Sequence, residues 1–415
     1  MTGTRRDVDV LVIGGGPAGL SAARELRTRL GASVTVVDRE ASAGGIPRHS
    51  DHPGYGIRDL RRLLSGPAYA RVLTDRAVDA GARILTSTMV TGWSGDRSVW
   101  VSSPEGRFEV AASAILLATG ARERPRTARM VPGDRPAGVL TTGQVQNLVH
   151  LHDQWVGSRA VVVGSELVSW SAVVTLREAG CRTVLMTTEQ PRLEAYAAFT
   201  VPGSVALRFP TARRTRVTRV MGKERVSGVE VEHLDTGRRR VIACDTVVFT
   251  GDWIADGELA RMAGVVMDDV TGGPVVDTSL RTSAPGVFAA GNLVHPVDTA
   301  DVASLDGVHA ARQVERYLGS GDTGRAGVRV LADAPLRWIS PGILRGGDPP
   351  PARARYLAWV DEFFAAPRVV VRQSSAVIAE RRLPWPAAPG RVFRIPSAMF
   401  AKVDAQGGDV HVGIA

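Results

Sequence analysis

The chain has 415 residues, 44% of them apolar, and a formal charge of +9 carried almost wholly by arginine, because lysine occurs only at Lys223 and Lys402. That length is too great for one ordinary core and predicts two or three domains. The arginines are spread along the chain without an aromatic-interleaved block, which speaks for a solvated surface and against nucleic-acid binding. The only cysteines, Cys181 and Cys244, form no CxxC or CxxxxC pair, which excludes a redox-active dithiol or a cysteine-ligated iron-sulfur cluster within this sequence. Two buried thiols in a reducing compartment are expected, and no metal site.

The charged N-terminus leads directly into a strand, without the apolar stretch of a signal peptide, and no apolar run reaches bilayer length. A cytoplasmic location without an integral membrane segment is the expectation. Residues 8–13 are a β-branched run of the kind buried in a parallel sheet, and they enter Gly14-x-Gly16-x-x-Gly19 at the mouth of a predicted helix. A dinucleotide pyrophosphate needs this arrangement: a tight turn, close backbone, close helix packing, and the free N–H groups of a helix N-terminus. Asp38 lies nineteen residues past Gly19 at the end of the next strand, where its carboxylate can accept from an adenosine ribose diol.

Residues 41–60 are rich in Gly, Pro and His and read as loop, followed by a helix over 66–81. Short strands are predicted at 83–93, 99–102 and 108–110, then a buried strand, AILLATG, at 114–120. The order then repeats: strand 159–163, a turn at Gly164, helix 167–179, strand 183–187, short strands within 214–242, and TVVFTG at 246–251. Two copies of one unit imply two related dinucleotide-binding domains. The second fingerprint is degraded to Gly164-Ser165-Glu166-Leu167-Val168-Ser169, and Glu166 places a side chain and a negative charge where a pyrophosphate needs bare backbone. Residues 282–318 return to the first domain, with Thr299 or Asp301 placed to cap a helix beginning near Val302. A linker is predicted at 319–327, and strand-like runs with Pro-rich turns follow.

The predicted fold class is therefore α/β, with two Rossmann-like dinucleotide-binding domains and a small β-rich C-terminal domain. The boundaries are 1–125 with 275–320 for the first domain, 126–274 for the second, with its degraded fingerprint, and 321–415 for the third.

With these pieces in order, the chain resembles the two-dinucleotide-binding-domain flavoproteins of glutathione reductase-like fold. Within them it looks closest to the branch of opine oxidase, hydrogen cyanide synthase and amino-acid dehydrogenase α subunits and glycerol-3-phosphate dehydrogenase-like proteins. The resemblance rests on Gly14 to Gly19 with Asp38; Gly44-Gly45-Ile46 through His52 and Gly54-Tyr55-Gly56 to Gly66-Pro67-Ala68-Tyr69-Ala70; Ala118-Thr119-Gly120-Ala121-Arg122-Glu123-Arg124-Pro125; and Gly286 to Asn292 with His295 and Asp301.

It implies FAD in the first domain. Gly14, Gly16 and Gly19 would hold its pyrophosphate, Asp38 the ribose, Val90 the adenine through backbone and Asn292 the ribityl chain. Pro17, Ala18, Arg39, Gly45, Ala118, Thr119, Gly120 and Gly291 complete the implied contacts. Asp38 stands where Glu is more usual, and Asn292 where wider relatives have Asp. The loop after the acidic strand end, with Arg48, His52 and Tyr55, and the segment after Asn292, with His295, are expected beside the flavin. A histidine poised near neutral pH would take a substrate proton, and Arg48 would hold a carboxylate or phosphate.

The leading expectation is oxidation of a small polar amine, amino acid, opine or hydroxy acid by hydride transfer to flavin. Electrons would pass to a quinone, to oxygen or to a partner subunit, in an oligomer. The alternatives are an NAD(P)H-dependent flavoprotein reductase, such as one serving ferredoxin, and a flavin-bearing electron-transfer or structural subunit.

Overall fold

A computed structural model describes residues 5–196, 207–296, 298–321 and 326–415. The strand Arg5–Ile13 lies in a seven-stranded sheet, parallel to Val34–Val37 on one side and to Gly106–Leu117 on the other. Val10, Leu11 and Val12 are fully buried, as continuous apolar runs are when both faces of a parallel sheet are covered. The helix Pro17–Leu30 packs along Ala300–Ser320, where Gly307 lets the two backbones meet: a Cβ there would lie 2.0 Å from the Ala18 carbonyl oxygen. The strand Val287–Ala289 pairs with Gly106–Leu117 and so delivers Gly291 and Asn292 to the end of the sheet where the first glycine turn sits.

The second unit repeats the plan. Val139–Thr141, Thr246–Phe249, Arg159–Val163, Arg182–Thr187 and Thr211–Ala212 form a parallel sheet in that order, accompanied by the antiparallel meander Thr215–Gly222, Val226–His233 and Arg239–Ala243. The α/β class with two Rossmann-type sheets thus agrees with the sequence reading. Where two strands were read at 108–110 and 114–120, one twelve-residue strand, Gly106–Leu117, runs through both, because its first half pairs in the meander and its second half in the parallel ladder. The helix Thr142–His150 was not foreseen. The helix Ala300–Ser320 has Thr299 at its N-cap, but without a side-chain cap hydrogen bond. Of the predicted linker, residues 322–325 lie outside the described residues.

An antiparallel ribbon, Ala121–Glu123 with Trp253–Ala255, joins the two units. Its last residue, Ala255, and Ala260 and Val265 beyond it pack into the first core, although the boundaries expected from sequence put them in the second unit. The C-terminal segment is β-rich, with a five-stranded and a three-stranded sheet around Tyr356, Val369, Val371, Phe393, Ile395 and Val410. Arginines bind it to buried carboxylates of the first unit: Arg345 Nε lies 3.0 Å from Asp277, and Arg394 Nη2 2.9 Å from Asp298. Among the described residues no helix is long and apolar enough to cross a membrane.

Candidate active site

The first glycine turn is shaped by close backbone contacts. Gly14 has φ 110°, and a Cβ there would lie 2.3 Å from the Ala118 carbonyl oxygen; one on Gly19 would lie 1.9 Å from the Gly14 carbonyl oxygen. Neither position admits a side chain. At Gly16, by contrast, a Cβ would meet nothing nearer than the Gly45 Cα at 3.9 Å, and at Gly120 nothing within 4 Å. The mouth of helix Pro17–Leu30 is therefore open, with the helix N-terminus behind it.

Asp38 is buried at the strand end, where its carboxylate accepts from the Gly15 N–H at 2.7 Å and the Glu40 N–H at 2.8 Å. Burial raises its carboxyl above the usual range against those two hydrogen bonds. Val90 is buried on Met89–Gly95, while Arg39 is exposed and lies 3.7 Å from Asp256. Thr119 Oγ1 donates to the Asp256 carbonyl at 2.7 Å. Gly291 packs against Ala18 with room for no Cβ, since one would lie 2.9 Å from the Ala18 Cβ. Asn292 donates to the Asp298 carbonyl at 3.1 Å, and its Oδ1 is buried without a partner. A buried, unpartnered acceptor is costly unless a donor such as a sugar hydroxyl reaches it, so this set fits FAD.

The proposed reacting residues fall into two groups. In the first, His52 is held at both ring nitrogens, Nε2 3.0 Å from Ser50 Oγ and Nδ1 2.9 Å from the Pro53 carbonyl, so Nδ1 carries the proton and donates. Tyr55 bonds Ser50, its phenol is pushed up by burial, and its ring lies 5.4 Å from that of His52. Gln146, from the second unit, donates to Ser50 Oγ at 3.2 Å and to Ser171 Oγ at 2.7 Å. Arg48 Nη2 is 3.5 Å from Glu40, and its Nε is buried and unpartnered. His49 is buried, which with Arg48 beside it lowers its pKa to about 4, so it is neutral. Gly66 is required here, since a Cβ would lie 2.2 Å from the Ser50 carbonyl oxygen and 2.4 Å from that of Pro47.

In the second group His295, 4% exposed, places Nε2 2.6 Å from Asp306 Oδ2. The other Asp306 oxygen is 3.5 Å from Arg353 Nη2, which comes from the C-terminal segment. No hydrogen bond joins His52 to His295 among the described residues. Ser50, Gln146, Asp306 and Arg353 carried no motif in the sequence; each acquires its place only through packing between distant segments.

The second glycine turn starts like the first: the Gly164 N–H donates to the Thr187 carbonyl at 2.8 Å, as that of Gly14 does to Val37 at 2.9 Å. It ends differently. The Glu166 carboxyl rests on Gly251, where a Cβ would lie 2.4–2.5 Å from its atoms, and accepts from Trp253 Nε1 at 3.4 Å. Glu194 stands behind it, bonded by Ser165 Oγ at 2.7 Å. The C-terminal segment closes over both: a Cβ on Gly390 would lie 2.5 Å from the Glu194 Cβ and 3.1 Å from the Glu166 Cγ. Burial, and then Glu194, push the Glu166 carboxyl up to about 8. Near neutral pH the obstruction is therefore one of volume more than of the negative charge expected from sequence.

This fold, with one open glycine turn and its acid, defines a two-unit α/β flavoprotein. Residues 8–307 match the pyridine nucleotide-disulphide oxidoreductases, and the chain belongs to that family. It is an FAD-binding oxidoreductase, and thus an enzyme. It is 27% identical to a thioredoxin reductase of Treponema pallidum (strain Nichols) over 316 residues, 75% of this chain and 97% of the relative. It is also 27% identical to an opine oxidase subunit of Agrobacterium tumefaciens (strain Ach5) over 320 residues, 68% of this chain and 61% of that protein. Among solved structures, the thioredoxin reductase of T. acidophilum has the same fold, with a TM-score of 0.65 at 24% identity over 76% of this chain and 100% of that one. The expected opine oxidase branch is thus met only in part, since relatives named as reductases match over more of their own length.

Proposed function

We propose that this enzyme oxidises a small polar amine, amino acid, opine or hydroxy acid directly at its FAD, while the second unit keeps the dinucleotide fold without binding NAD(P). The observation that carries this reading is Glu166, whose carboxyl fills the space over Gly251 beneath Gly390. When bound, FAD supplies the two-electron acceptor for a hydride leaving the substrate carbon. His295 takes the amine or hydroxyl proton at Nδ1, the buried ring nitrogen with no partner. Arg48 binds a substrate carboxylate through its guanidinium. His52, occupied at both nitrogens by Ser50 and Pro53, orients the loop and takes no proton unless that pairing opens. Electrons pass on to a quinone, to oxygen or to a partner subunit.

A second reading, an NAD(P)H-dependent reductase, is favoured over the first by the comparisons, because the thioredoxin reductase relative is matched over 97% of its length. It requires Glu166 and the segment around Gly390 to withdraw. It also requires an acceptor outside this sequence's thiols, for burial pushes Cys181 up to about 12 and Cys244 up to about 11. Anaerobic mixing of the yellow protein with NADH, NADPH and a panel of amines, amino acids and hydroxy acids separates the two. Bleaching of the flavin absorbance by a member of the panel and not by NAD(P)H is expected. Saturable bleaching by NADH or NADPH overturns the first reading in favour of the second.

A further inference from the structure

We infer that Asp306 and Arg353 are positioning residues for His295: the carboxylate holds the Nε2–H, so that Nδ1 presents its lone pair as the proton acceptor, and the arginine ties that carboxylate to the C-terminal segment. This rests on the reading of His295 as the residue that takes the substrate proton. The geometry is specific. Asp306 Oδ2 lies 2.6 Å from Nε2, and both side chains are about 5% exposed or less. An ionised carboxylate only accepts, so the ring proton of neutral His295 resides on Nε2 and the lone pair on Nδ1. Nδ1 is buried without a partner, as is Oδ1 of Asn292 on the same turn. Two orphaned acceptors on one turn point to a ligand that supplies donors there.

Arg353 is the contribution of the C-terminal segment. Its backbone and that of Ala354 are both left-handed, with φ 58° and 52°, an arrangement that non-glycine residues adopt only where the surroundings impose it. The turn brings Nη2 to 3.5 Å from Asp306 Oδ1. Burial pushes the Asp306 carboxyl up, but His295 and then Arg353 outweigh it and hold it below the usual range. His309, on the same helix as Asp306, has its pKa lowered by burial and bonds the Thr278 carbonyl at 2.8 Å. Of the charged groups on the adjoining segment, Asp298 is paired with Arg394 and Asp301 with Arg58, whereas Asp306 bonds His295 directly and Arg353 bonds Asp306 from the C-terminal segment.

Their removal has opposite consequences. Asp306→Asn deletes the charge that stabilises the imidazolium and frees the tautomer. Substrate reduction of the flavin should slow about 10²-fold or more, and the midpoint of its pH profile should move to lower pH. Arg353→Gln leaves Asp306 uncompensated, so the carboxylate acts on His295 more strongly and the midpoint should move to higher pH with little change in KM. Long-range 15N–1H correlation on the FAD-loaded, 15N-histidine-labelled protein, with the His295 signals assigned by their loss in His295→Gln, reads the tautomer without turnover. Nε2–H is expected in the wild type. Nδ1–H in the wild type, or coincident pH midpoints in wild type, D306N and R353Q while H295Q is impaired, overturns the inference. Unimpaired flavin reduction in H295Q overturns the underlying reading of His295 instead. Should D306N fail to fold, R353Q and the wild-type tautomer decide the matter.

Discussion

In the first unit Gly16 and Gly120 leave open space at the mouth of helix Pro17–Leu30; at the corresponding places of the second unit, Glu166 lays its carboxyl on Gly251 and Gly390 closes over it. The frames that carry these points are alike. Both turns hang from the neighbouring strand by one backbone hydrogen bond, from Gly14 to Val37 and from Gly164 to Thr187, and in each unit a further strand, Gly106–Leu117 or Thr246–Phe249, runs on into a Thr-Gly pair. Where Gly19 lets helix meet turn, Ser169 Oγ is instead tied to Thr250 Oγ1 at 2.6 Å. The strand-turn-helix frame is thus stabilised by its own core and persists whether the space at its mouth is open or filled. A fold of this kind is therefore weak evidence by itself for a second dinucleotide.

The largest effect is expected from importing the closed turn into the open one. Gly16→Glu should abolish FAD retention, read as loss of the flavin absorbance relative to protein absorbance in a folded protein; a yellow variant would mean that the open mouth is not the pyrophosphate site. Next, His295→Gln should keep FAD but slow its reduction by substrate about 10²- to 10⁴-fold in stopped flow. That outcome would confine the chemistry to the open unit.

The closed turn has a pH signature. The carboxyl of Glu166 is raised to about 8 in the fold, well above its ordinary value, so the folded protein binds the extra proton. The stability this contributes is full below the unfolded carboxyl range and is lost as pH rises through about 8. Glu166→Gln should therefore gain stability over wild type by about 1–3 kcal/mol at pH 9 and much less at pH 5. Parallel thermal melts of the two proteins across that range would contradict it.

The smallest effect concerns the joint between the units. Thr141 and Gln144 form a capping box on helix Thr142–His150, whose Gly143 N–H also donates to Glu123 of the first unit at 2.8 Å. Thr141→Ala should cost about 1 kcal/mol in urea unfolding, with FAD binding unchanged.

That capping box is legible as T-x-x-Q, but the helix it starts is short and gains its place from packing. The glycines, Asp38 and the doubling of the unit were legible because each is a local requirement: a strand feeding a helix through a turn with no room for Cβ. Glu166 is legible as a misfit both by its side chain and by its formal charge; its burial against Glu194, which removes most of that charge near neutral pH, depends on a loop far along the chain. His52 and His295 were ranked equally from sequence. They separate only when Ser50 and Pro53 are found to occupy both nitrogens of one and Asp306 a single nitrogen of the other.

The amino-acid sequence alone thus determined the α/β class, the FAD fingerprint, the damaged second copy and a dithiol-free chain, since periodicity, glycine spacing and residue counts act over a few neighbours. Only the tertiary structure decided that the C-terminal sheets seal the second turn through Gly390 and reach His295 through Arg353 and Asp306. Those contacts join residues far apart in the chain, and their strength comes from shared burial, which no single stretch of sequence encodes.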